Sequence, residues 1–382
     1  MASTPVPITG EVLQWAMADA GVSRQTLARH LGVSGGTVQA WEEGVEEPTT
    51  SQFRQLAKRL ARPESFFFLP RPPRRRQPAA QFRRLADAEA EVSADEARIV
   101  RQARKMQQSV SWIRTRESPE LRVHVPFMTS ATPPAEAAAA LADWLDWSTH
   151  TRASAGRTES GTRSFVRGSL QQKGILTIHV SLSDSEIRGF ALPDPIAPLI
   201  AVNTADSNGM RLFSYAHELA HLALNEGSVC LNPVHRGKEQ WCNRVAAALL
   251  MPAAEFKKLV VTRLKTNIVS SVEDVRSLAR YYGLSLRAVA VRLEDLGLAV
   301  TGLYSNVAAL AEFKKRGGSP DPDRLQTKPR VKLQQLGRAY GIAILEAEAS
   351  GLLTNSQAIE LVGVSRAEYA EFRSLVLAGV EG

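Results

Sequence analysis

The stretch F-S-Y-A-H-E-L-A-H-L-A-L, Phe213–Leu224, sets two histidines four residues apart with a glutamate beside the first. On a helix, positions i and i+4 project from one face a turn apart, so His217 and His221 can reach a single ion. Zinc takes imidazole nitrogen at about 2.0 to 2.1 Å. Glu218 then faces a water on that ion and can remove its proton. This is the H-E-x-x-H arrangement, in which the metal lowers the water's pKa and polarises a scissile carbonyl. Two histidines and an acid also occur on ordinary amphipathic helices. Here the flanks Phe213, Ala216, Leu219, Ala220, Leu222 and Ala223 predict a helix buried around most of its circumference. Unpaired His and Glu are costly in such a place, and ligation relieves that cost.

A catalytic zinc needs a third protein ligand and an open position. Downstream, G-K-E-Q-W-C-N-R-V-A-A-A-L-L-M-P, Gly237–Pro252, places Glu239 and Asn243 four apart at the start of a helix with a later apolar face. Glu239 can ligate, and Asn243 can hold a ligating histidine in its orientation. His235, Cys230 and Cys242 compete for the third place. Glu239 stands ahead of them because its register with Asn243 repeats the logic of the first helix. A metzincin is excluded by spacing, since Leu224 and Gly227 stand where that class has Gly and His.

Three short runs rich in Ile, Leu and Val precede the motif, 174–180, 187–192 and 198–203, and predict a small sheet feeding the helix. P-P-A-E-A-A-A-A-L-A-D-W-L begins a helix with proline in its first turn, and Ala88–Arg116 reads as a long polar helix. The linker R-P-P-R-R-R-Q-P-A-A-Q-F-R-R, Arg71–Arg84, separates this part from four short helical patterns before it. The sequence therefore predicts an α+β, mostly helical chain: an all-α domain over 1–70, a basic linker and long helix over 71–118, a zincin-like domain over 119–300, and a helical extension over 301–382.

The chain has 382 residues, 44% of them hydrophobic and 23% charged, which suits two or three globular domains. Neither an apolar run of membrane length nor a basic-then-apolar leader is evident, so a cytoplasmic protein with no membrane partner is expected. Its two cysteines, Cys230 and Cys242, fit a reducing compartment. The net charge of +8 is concentrated: Arg71–Arg84 holds six arginines and no acid, whereas residues 1–70 hold six basic and seven acidic side chains.

The ordered motifs F-S-Y-A-H-E-L-A-H, E-Q-W-C-N and L-L-M-P, preceded by a run ending in Asn203, resemble the ImmA/IrrE family of zinc metallo-endopeptidases. The resemblance implies His217, His221 and Glu239 as zinc ligands and Glu218 as general base. It departs at Cys242, where that family usually has Ala. It further implies a protein substrate, itself a repressor or antitoxin, and hence regulation of transcription in a stress or toxin-antitoxin setting. The rival expectation is a DNA-binding regulator whose peptidase fold senses or binds a partner without cutting it.

Ser23–Gly44, S-R-Q-T-L-A-R-H-L-G-V-S-G-G-T-V-Q-A-W-E-E-G, resembles the phage-repressor, Xre-type helix-turn-helix. Such a unit lays the start of its recognition helix in the major groove, making Gln25, Ser34, Thr37 and Gln39 candidate DNA contacts. No Lys or Arg lies between His30 and Arg54, and four glutamates follow, so this surface alone is poor in phosphate contacts. The C-terminal T-N-S-Q-A-I-E-L-V-G-V-S-R-A-E-Y-A-E-F has a similar look and is expected to form a helical layer or a homodimer contact.

Overall fold

The computed structural model describes residues 5–20, 22–60, 62, 64–72, 94–148, 158–181, 187–225, 228–229, 236–307 and 327–379. His235, Cys230 and most of the arginine linker lie outside them. The chain divides into two compact units, Met1–Gln102 and Ala103–Gly382.

The first unit is helical: α1 Gly10–Ala20, α2 Arg24–Leu31, α3 Gly35–Glu43 and α4 Thr50–Arg59, followed by a 3-10 turn at Glu64–Phe68. Three caps fix their starts. The hydroxyls of Ser23, Ser34 and Thr49 each accept from the backbone N–H three residues on, and Thr49 completes a reciprocal box with Gln52. Gly32, at φ +67°, makes the left-handed turn between α2 and α3. Leu13, Leu27, Val38, Trp41, Phe53 and Leu56 meet in one core.

The long helix α5, Ala94–Glu117, and α6, Pro134–Trp144, precede α7, Glu159–Gln172. A sheet follows, in the order β1 (Leu176–Val180), β3 (Leu199–Asn203), β2 (Gly189–Leu192), β4 (Ser228–Val229). β1 runs parallel to β3, and β2 runs antiparallel to both β3 and β4. The three anticipated runs are the three main strands. The two-residue β4 was not anticipated, because so short a segment carries no periodicity. Alternation along the strands turns Ala191, Ile200 and Val202 into the core shared with α8, Asn208–Ala223, the helix that carries the histidines. Next come α9 (Arg236–Leu250), α10 (Ala253–Leu264), α11 (Val272–Tyr282) and α12 (Leu286–Asp295).

Of the C-terminal helices, α13 (Lys328–Leu336) and α14 (Arg338–Ala349) cover the β1 edge of the sheet, and α15 (Asn355–Val362) and α16 (Arg366–Leu377) pack on them. Buried Arg167 from α7 bonds Thr177 Oγ1 at 3.1 Å and the Gln334 carbonyl at 2.6 Å, joining strand to extension. Gly337, at φ +79°, brings the backbone so close that a Cβ there would stand 2.6 Å from the Thr177 carbonyl. An open strand edge invites foreign pairing, and this extension occupies it. Gly337→Ala should therefore cost about 1–3 kcal/mol more than Gly351→Ala in chemical denaturation. Gly351 shares the positive φ, at +78°, but has nothing within 4 Å. Equal costs would show that the approach to β1 contributes nothing.

Candidate metal centre and helix-turn-helix surface

Ser207 caps α8 by accepting from the Met210 N–H, and the helix runs unbroken to Ala223 because its inner residues are alanine, leucine and other good helix formers. It is buried on nearly every side, with His217, Glu218 and His221 exposed by only 7%, 1% and 3%. β2 and β3 lie over it, and α7 and α9 flank it.

α9 packs against α8, and its first turn carries Glu239. The two imidazole Nε2 atoms are 3.1 Å apart. Glu239 Oε2 lies 3.2 Å from His217 Nε2, and Oε1 lies 3.3 Å from His221 Nε2. These three are the one such metal-binding group among the described residues. Buried Cys242 is not part of it.

With Glu239 ionised, as its lowered pKa requires, protons leave one edge of this triangle poorly served. If both Nε2 atoms carry hydrogen, the edge between them has no acceptor; if one is bare, its edge to the carboxylate has no donor. A cation at the centre satisfies the three lone pairs together. A tetrahedral ion with bonds of about 2.0–2.1 Å holds its ligand atoms about 3.3 Å apart. The observed edges of 3.1, 3.2 and 3.3 Å fit that spacing.

The electrostatics follow from the same contacts. Burial alone would raise the Glu239 carboxyl, yet hydrogen bonds and charge from both imidazoles hold it far below the usual carboxylate range. Burial likewise opposes charge on His217, but the hydrogen bond to Glu239 and the charges of Glu218 and Glu239 raise its pKa above 6.5. Asn243, one turn beyond Glu239, adds to that rise through its side chain.

Two features have no counterpart among the motifs of the sequence. Tyr215 is fully buried and its hydroxyl meets His179 Nε2 at 2.8 Å, so the phenol is engaged away from the ligand triangle. Burial, followed by the charges of Arg167, Arg163 and Arg211, pulls the His179 pKa well below 6.5. Gly189 on β2 lies directly against Glu218. No local signal could have found either, because both depend on which strand crosses the helix.

Residues 170–294 match the model of the IrrE N-terminal-like domain, a peptidase family, and residues 13–67 match that of the helix-turn-helix. The chain joins these two domains. No curated protein matches the chain. The IrrE-like domain thus contains the strands, α8 and α9, and with them all three members of the His/Glu group.

In the helix-turn-helix, exposed Gln25 stands on α2, whereas the other candidates are engaged within the chain. The Ser34 hydroxyl accepts from Thr37 N at 3.0 Å and meets the Thr37 hydroxyl at 2.9 Å. Gln39 accepts from Arg24 at 3.2 Å and donates to Glu43 at 2.7 Å. Glu42 is buried and paired with Arg24, so it is not part of an open acidic face. No helix among the described residues is long and apolar enough to cross a membrane.

Proposed function

We propose that the IrrE-like domain is a zinc-dependent endopeptidase that controls transcription by cleaving a protein partner, a repressor or antitoxin. The helix-turn-helix places it at DNA, with Gln25, Ser34, Thr37 and Gln39 as contacts once Gln39 exchanges its internal bonds for a base edge. The carrying observation is the convergence of His217, His221 and Glu239 beside Glu218 on a buried helix. Those three residues would hold zinc. When bound, the metal supplies Lewis-acid polarisation of a carbonyl and a lowered pKa for water.

The chain's own groups do the rest. Glu218 takes a proton from the attacking water and returns it to the leaving amine. Asn243 fixes the orientation of His217, and the sheet over α8 keeps bulk water from the carboxylate. Asn243→Ala should weaken zinc binding about tenfold with all three ligands intact, measured by competition with a chromogenic chelator. Unchanged affinity would remove Asn243 from the site.

Zinc also requires a bare imidazole, and in the metal-free chain His217 holds its proton above the ordinary pKa. Metal binding must then release protons at any pH below that raised pKa, and affinity must fall as pH drops through it. Calorimetric titration in two buffers of unlike ionisation heat should show that release shrinking as pH rises. Proton release that does not grow as pH falls below 6.5 would contradict the assignment.

Affinity capture from cells tests the reading. The Glu218→Gln chain should retain an intact partner that the parent releases as fragments. A parent that forms a stable complex without fragments would instead favour a regulator or toxin-antitoxin component that senses without cutting.

A further inference from the structure

We infer that Gly189 is a positioning residue for Glu218: its missing side chain leaves the space in which the Glu218 carboxylate is held. This rests on the peptidase reading above, in which Glu218 is the base.

Gly189 opens β2 and pairs with Val202 of β3. Its pleat direction is that of Ala191, toward the core shared with α8. Small residues at both positions let the strand approach the helix closely. A Cβ on Gly189 would lie 3.0 Å from Glu218 Oε1, 3.2 Å from Glu218 Cγ and 2.9 Å from the Ala201 carbonyl. The first two atoms belong to one side chain and the third to a strand backbone. Because Ala201 belongs to the central strand β3, its carbonyl is the less yielding wall. A methyl group caught between the two therefore displaces Glu218. The backbone of Gly189 lies outside the left-handed region, so close approach rather than conformation selects glycine there.

The contact also explains how the base is kept still. A glutamate side chain has three rotatable bonds, and ordering it costs conformational entropy. The β2 backbone at Gly189 forms one wall of its slot, with His217 on the same helix turn beside it. A base must reach its water in one geometry, and a wall without a side chain confines the carboxylate without pushing it aside.

A double-mutant cycle on the full-length protein tests this. Gly189→Ala, Glu218→Ala and the double variant are compared with the parent by thermal unfolding and by zinc content. Gly189→Ala should lower the melting temperature by several degrees, and the same change in the Glu218→Ala background should lower it by less than half as much. A Gly189→Ala chain that fails to fold, rescued by Glu218→Ala, supports the inference equally. An equal loss in both backgrounds, or failure of both to fold, would overturn it, leaving the Ala201 wall as the whole reason for glycine; no loss in either would overturn it by showing that the added methyl meets no wall at all. Zinc content separates the two readings. Parent and Gly189→Ala should each hold one zinc, because His217, His221 and Glu239 are untouched. A parent without zinc sinks the peptidase reading, while the unfolding cycle still reports the contact.

Discussion

Replacing both His217 and His221 by alanine should reduce bound zinc from one ion per chain to none. On the proposed reading the two imidazoles are two of the three donors; their Nε2 atoms stand 3.1 Å apart on a helix that burial holds in place. What remains is Glu239, a single carboxylate at the start of α9. A lone carboxylate does not hold zinc against water or buffer, since structural and catalytic sites alike use three or four protein ligands. The parent should also gain stability on adding zinc, by mass action on the folded state, and the double variant should gain none. Elemental analysis and unfolding with and without zinc check this. A double variant that still carries one zinc, or a parent that carries none after exposure to zinc, would rule out a metal at this triangle.

The second large effect belongs to Glu218. Glu218→Gln keeps the size and shape of the side chain in its slot against Gly189 while exchanging one acceptor oxygen for an amide donor, and it leaves His217, His221 and Glu239 in place. Zinc content should be unchanged. The amide cannot accept a proton from water and pass it to a leaving amine, so cleavage of the partner should slow by about 10²–10⁴-fold, the usual contribution of a positioned general base. Zinc binding and catalysis then separate in one substitution. If the variant instead loses zinc, Glu218 acts on the metal rather than on the water. Cleavage at the parent's rate would place the base elsewhere.

Both predictions rest on residues that are legible in the sequence alone. His217, Glu218 and His221 lie within five consecutive positions, and helical geometry puts the two histidines on one face. Glu239 and Asn243 obey the same spacing on the next helix. Their meeting with the first pair depends on how α9 packs on α8, which the sequence leaves free; the fold brings Glu239 to 3.2 and 3.3 Å from the two imidazoles. The helix-turn-helix is legible for a similar reason, because Ser23, Gly32 and Ser34 act on their own neighbours as caps and turn.

What cannot be read locally is what depends on register and long-range pairing. Gly189 is an ordinary strand glycine until β2 is known to cross α8 at Glu218. Gly337 and Arg167 become meaningful once the extension is seen to cover β1. By spacing, Gln39 is free to read a base, and its bonds to Arg24 and Glu43 come from side-chain reach that spacing does not encode.

The most direct test of proteolysis by this site compares newly formed protein N-termini, by mass spectrometry, in cells expressing the parent and cells expressing Glu218→Gln. At least one DNA-binding repressor or antitoxin should be shortened at a single internal bond with the parent and stay intact with the variant. Identical sets of N-termini in the two, with zinc bound in both, would contradict a peptidase role.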